Sequence, residues 1–121
     1  MKYTIIQKNN SIVYIESNDV LITDLQSVLD LIMTVNYKTD CSRMVLDKKA
    51  ISEEFFRLSS GIAGEILQKF INYHTKLAII GDFSRYTSKS LHDFIYECNK
   101  GNDIFFVVDL EQAIEKLASA R

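Results

Sequence analysis

Three short apolar runs, Met44-Val45-Leu46, Leu77-Ala78-Ile79-Ile80 and Ile104 to Val108, stand at intervals along the chain with helical periodicity between them. Such runs, too short for helices between their neighbours and without polar alternation, have the pattern of strands buried on both faces. Strands that alternate with covering helices predict an α/β fold with a mostly parallel central sheet and right-handed crossovers.

The N-terminal part adds two more strands. Tyr3 to Gln7 and Ser11 to Ile15 are rich in β-branched and aromatic residues, and Lys8-Asn9-Asn10 between them suits a hairpin turn, because asparagine tolerates positive φ. Thr23 followed by Gln26 reads as a capping box, with Leu25, Val28, Leu29 and Ile32 at helical spacing and the helix running to about Tyr37. From Ser52 the pattern turns helical again, with Glu53 and Glu54 suited to the positive end of a helix dipole. Gly61 and Gly64 then predict a short turn to Leu58 and a main, mostly buried helix from Ser59 or Ser60 to His74. Leu91, Phe94, Ile95 and Cys98 mark a helix stopped at Gly101, and Asp109 with Gln112 caps a closing helix that buries Ala113, Ile114 and Leu117. The predicted order is β-β-α-β-α-β-α-β-α in a single domain over residues 1–121, with the first strand or two antiparallel.

Composition narrows the functional classes. A hydrophobic fraction of 47% and a charged fraction of 25% are those of a folded globular chain. The net charge of −2 gives no broad basic surface for nucleic acid. No apolar stretch approaches the roughly 20 residues that span a bilayer, and the N-terminal apolar run is too short for a signal peptide, so a soluble, cytoplasmic protein without membrane insertion is expected. Cys41 and Cys98 have no C-x-x-C spacing, and His74 and His92 have no second ligand at metal spacing. No metal or cofactor is indicated. The P-loop, G-x-G-x-x-G and G-x-S-x-G fingerprints do not occur.

Candidate site residues follow from the fold, since open parallel sheets gather ligands at the carboxyl ends of their strands. Asp47-Lys48-Lys49, Ser59-Ser60-Gly61 and Gly81-Asp82-Phe83-Ser84-Arg85 should meet at that edge. Ser59 and Ser60 put two hydroxyls at a helix start, a place that favours an anion or a phosphoryl group, although serine there also serves as an N-cap and nothing more. Gly61 and Gly64 allow either close approach of a partner backbone or packing of the helix on the sheet. Asp82 and Arg85 are close enough in sequence to form an ion pair, or a general base beside an anion clamp; the same residues also suit a turn with a solvated neighbour.

Two resemblances attach to these residues. Met44-Val45-Leu46-Asp47, then Ser59-Ser60-Gly61-Ile62-Ala63-Gly64-Glu65-Ile66-Leu67, resembles the central strand and following helix of the STAS domain, named for sulfate transporters and anti-sigma factor antagonists. Asp109 to Leu117 resembles that family's last helix. The resemblance implies a STAS-like fold and a regulatory module that binds a protein partner, with Ser60 at the serine that a partner kinase phosphorylates in antagonist members. Leu58 stands where that family has an aspartate, and the Lys48 to Leu58 connection is longer than usual. A likeness over more of the chain, to an uncharacterised bacterial family of domains of unknown function, rests on Phe55-Phe56-Arg57-Leu58, Ala63-Gly64-Glu65, Gln68-Lys69-Phe70, Gly81-Asp82, Asp93-Phe94 and Asn99-Lys100-Gly101.

Two functions are therefore expected to compete. The first is a non-enzymatic binding or regulatory module that uses Ser59 to Gly64 as its contact surface, and homo-oligomerisation is compatible with it. The second is a small-ligand or enzymatic domain with a pocket around Asp82, Arg85 and Ser60.

Overall fold

The computed structural model describes residues 1–7 and 10–121, so Lys8 and Asn9 of the expected hairpin turn lie outside the described residues. The elements are β1 (Lys2–Gln7), β2 (Ser11–Glu16), α1 (Leu25–Thr39), β3 (Arg43–Asp47), α2 (Ile62–Asn72), β4 (Lys76–Ile80), α3 (Lys89–Lys100), β5 (Ile104–Val107) and α4 (Leu110–Ser119). The sheet is five-stranded and mixed, in the order β1-β2-β3-β4-β5. β1 pairs antiparallel with β2, and each later strand pairs parallel with the one before it.

This order determines where the helices go. Right-handed crossovers between parallel strands laid down one after another bring every connecting helix to the same face. Val28, Leu31, Ile32 and Val35 of α1, Ala63, Ile66 and Phe70 of α2, and Leu91 and Cys98 of α3 accordingly share one core. From the sheet, Val13, Ile15, Met44, Leu46, Leu77, Ile79, Ile104 and Phe106 point into it. The alternate residues Ile12, Val45, Ala78, Phe105 and Val107 point the other way and are covered by α4 through Ala113, Leu117 and Ala118. Arg43 of β3 fixes the end of that helix, its Nη1 donating to the carbonyls of Leu117 and Ala120.

Several boundaries differ from the sequence expectation for local reasons. The capping box of α1 is one residue later: Asp24 Oδ1 accepts from the Ser27 N–H at 2.8 Å while Ser27 Oγ accepts from the Asp24 N–H at 3.0 Å. A carboxylate at the cap and a hydroxyl three residues on take the parts expected of Thr23 and Gln26, serving the N–H groups of Ser27 and Asp24. α2 begins at Ile62, not at Ser59 or Ser60, because Gly61 takes φ +79° and ends the preceding 3-10 turn. It stops at Asn72, before His74 at φ +53°. α2 is also less enclosed than expected, for Ile71 is exposed and Ile62 and Leu67 are only partly covered.

The two sheet edges are unlike. At β5, the Asn99 side chain from α3 takes the place of a neighbouring strand: its Oδ1 accepts from the Phe106 N–H at 2.8 Å and its Nδ2 donates to the Phe106 carbonyl at 3.2 Å. β1 forms the opposite edge. Among the described residues, no helix is long and apolar enough to cross a membrane. Cys41 and Cys98 are buried free thiols.

Candidate functional site

The carboxyl ends of β3 and β4 open onto the long connection from Lys48 to Gly61 and the loop from Gly81 to Ser88. The connection is three 3-10 turns, Lys48–Ala50, Glu53–Phe56 and Leu58–Ser60. It is tied down where Leu21 N and Ile22 N donate to the Ala50 carbonyl and Ser52 N donates to that of Ile22. Phe55 and Phe56 are buried beneath it. Their rings meet edge to face at 5.0 Å, and Phe56 stacks on Tyr86 at 5.3 Å.

Lys48 crosses over this aromatic floor. Its ammonium lies 5.1 Å from the ring centroids of both Phe56 and Tyr86, a cation–π arrangement, and 2.8 Å from Glu53 Oε1. The Tyr86 hydroxyl donates to the other Glu53 oxygen at 2.9 Å. Gly81 permits the approach, since a Cβ there would lie 2.8 Å from Lys48 Cβ and 3.2 Å from Phe83 Cζ. On the α4 side of β3, the Tyr14 hydroxyl faces both Asp47 oxygens at 2.9–3.0 Å.

These contacts set the ionisation. The Lys48 hydrogen bond holds Glu53 below the ordinary glutamate range, against its own partial burial. For Lys48 burial opposes the charge, but Glu53 and Tyr86 outweigh it and the ammonium is strengthened. Burial raises Tyr86, and burial with the Asp47 carboxylate pushes Tyr14 up to about 12. Hydrogen bonds from Ser84 hold Asp82 below the ordinary aspartate range.

The residues expected from sequence separate into two neighbouring hollows. One, of about 680 Å³, is lined by Glu53, Phe56, Arg57, Ser59, Tyr86 and Ser88 among others. The other, of about 670 Å³, includes Lys48, Lys49, Glu53, Asp82 and Arg85. Both are open, and Glu53 borders each. Ser59 thus lines the first hollow and Asp82 and Arg85 the second, whereas Ser60 lines neither. Ser60 Oγ instead donates to the Arg57 carbonyl at 2.8 Å, lies 3.1 Å from that of Glu54 and accepts from Ile62 N–H at 3.3 Å. Among the described residues Asp82 makes no ion pair with Arg85; it accepts from the Ser84 hydroxyl at 2.6 Å and the Ser84 N–H at 3.0 Å. Gly64 is exposed, and a Cβ there would meet nothing within 4 Å, so close packing on the sheet does not explain it. Gly61 is required by its positive φ.

Residues 7–117 match the family model described as a domain of unknown function, DUF4180. The chain belongs to this family. No curated protein and no solved structure matches it. In this DUF4180 domain the motif residues fall at structural junctions: Phe55 and Phe56 form the aromatic floor, Gly81 admits Lys48, and Asn99 closes the β5 edge. Lys48 was expected at this edge as part of Asp47-Lys48-Lys49, but its grouping with Glu53, Phe56 and Tyr86 was not. The adjacent phenylalanines in an otherwise polar segment were the available signal, because their burial requires something to close over them.

Glu53 carries a pH dependence with a definite sign. A carboxylate whose folded pKa is depressed contributes stability that is present above its unfolded value and is lost as pH falls through the folded one. Urea midpoints measured from neutral pH down through the glutamate range should therefore fall less steeply for Glu53→Gln than for the parent chain. Equal slopes would show that the Lys48 contact contributes no linkage.

Proposed function

We propose that this domain is a non-enzymatic regulatory or protein-binding module of STAS-like type, with the Ser59 to Gly64 segment, exposed at Ser59, Ser60, Gly61 and Gly64, and the adjoining loops as its contact surface. The observation that carries the reading is that the polar groups at the strand ends are engaged with one another, Lys48 and Tyr86 with Glu53 and Ser84 with Asp82, and their ionisation shifts agree in direction. Glu53 and Asp82 are moved down, and Lys48 and Tyr86 up. A general acid or base working near neutral pH needs the opposite, a carboxyl raised or an amine lowered toward 7. Fixed charges over a rigid aromatic floor suit recognition of another surface. The run of sequential parallel strands with a closing α4 supports the STAS-like reading, as do Ser59, Ser60 and Gly61 placed just before α2.

Modification of Ser60 would act through its present bonds. A phosphate ester cannot donate to the Arg57 and Glu54 carbonyls, and it adds a charge of about −1.5 to −2 beside the start of α2. Pull-downs with the unmodified chain and with Ser60→Asp should recover different partner sets, the aspartate variant losing at least one protein. Identical sets would sink the switch, and no specific partner for either form would sink the binding role.

A second reading takes the hollow bordered by Lys48, Lys49 and Arg85 as a site for a small anionic ligand, to which Asp82 would lend orientation. Thermal-shift screening with classes of anionic metabolites tests it, since a ligand that binds only the folded chain raises its melting temperature.

A further inference from the structure

We infer that β1 is a self-association edge, on which a second copy of this chain adds its own β1 antiparallel about a two-fold axis to join the two sheets into one. Free strand edges are templates for another strand, and folded proteins ordinarily blunt them with proline, central charge, bulges or a covering side chain. This chain treats its two edges differently. β5 is short, buried at every residue, and closed by the Asn99 amide, which bonds both the N–H and the carbonyl of Phe106. β1 is six residues long, pairs with β2 along its whole length, and carries no proline and no charge after Lys2. Among the described residues, no side chain or loop bonds to its outer backbone groups. Ile5, in the middle of the strand, is 50% exposed.

The occupant follows from the same contrast. An added strand must itself bring a free edge, and in a second copy β5 is already closed, so a head-to-tail contact of β1 on β5 is barred and cannot propagate into a fibre. β1 on β1 remains, and it closes on itself. A two-fold axis normal to the sheet brings residues of the same face opposite one another. Centred on Thr4, it pairs Tyr3 with Ile5 of the second copy twice over on the α1 side, an aromatic on β-branched cross-strand pair. Lys2 falls opposite Ile6, so no like charges meet.

Sedimentation velocity and light scattering of the full chain over a range of concentrations test the inference. The parent chain should be a dimer, and Thr4→Lys, which sets two ammonium groups face to face across the axis, should be a monomer with an unchanged circular dichroism spectrum. Should Thr4→Lys fail to fold, Thr4→Cys decides the matter. Residues opposed in an antiparallel pair lie about 4.5–5.5 Å apart at Cα, within disulfide reach, so mild oxidation should give a covalent dimer that the exposed control Val20→Cys does not give. Asn99→Ala, by opening the second edge, should convert the dimer into larger assemblies. A monomeric parent chain, a folded Thr4→Lys that remains dimeric, or a Thr4→Cys that oxidises no faster than Val20→Cys would each overturn it.

Discussion

Replacing Phe56 by alanine is expected to destabilise the domain by about 3–5 kcal/mol, the range for truncating a buried phenylalanine to alanine. The reason is that one ring serves three neighbours. Phe56 meets Phe55 edge to face, stacks on Tyr86 and lies within 5.9 Å of the Phe83 ring, while its face carries the Lys48 ammonium. Removal leaves a cavity under the 3-10 turns and takes away one of the two rings beneath Lys48. Chemical denaturation measures the loss, and Phe56→Leu, which keeps much of the volume, should recover a good part of it. A cost below about 0.5 kcal/mol, the level of a typical surface change, would mean that the connection from Lys48 to Gly61 is not closed over this ring.

Gly81→Val is the second large effect, at about 1–3 kcal/mol, for the opposite cause of overpacking. Its Cβ would stand 2.8 Å from Lys48 Cβ and 3.0 Å from Lys48 Cδ. The atoms in the way belong to the stem of the lysine and not to its free end, so the whole side chain has to leave its place between the aromatic rings and Glu53. The substitution should therefore do two things together: lower the urea midpoint, and flatten the acid side of the stability profile as Glu53→Gln does. A lower midpoint with the parent pH profile would show that Lys48 keeps its contact and that the strain is taken up elsewhere.

The sheet was legible in the sequence because burial on both faces leaves apolar runs too short for helices between their neighbours: Met44 to Leu46 and Leu77 to Ile80 fall inside β3 and β4. Caps were harder. Thr23 and Asp24 are both good N-cap residues, and the side-chain bonds to Ser27 decide between them only in three dimensions. The main helix began later than its serines suggested because Gly61 spends its conformational freedom on a left-handed turn and not inside the helix. For the candidate site, the strand ends placed Asp82 and Arg85 at the edge where they line the second hollow. The chemistry at that edge comes from long-range contacts, Tyr86 to Glu53 and Lys48 to two rings, which leave no local spacing to read. The same holds for Asn99: its sequence neighbourhood reads as the end of a helix, and only the fold shows its amide standing in for a strand.

The winding of strands in sequence order gives the chain a one-way path of assembly. Each parallel strand from β3 onward docks on the one made just before it, so the sheet can grow strand by strand from the N-terminus as the chain is synthesised. That economy has one exception. The face made by Ile12, Val45, Ala78 and Phe105 has no cover until α4 arrives, after β5 is in place. During synthesis α4 is thus a latch closing over four strands at once, and Arg43, waiting on β3 for the carbonyls of Leu117 and Ala120, is the catch that receives it.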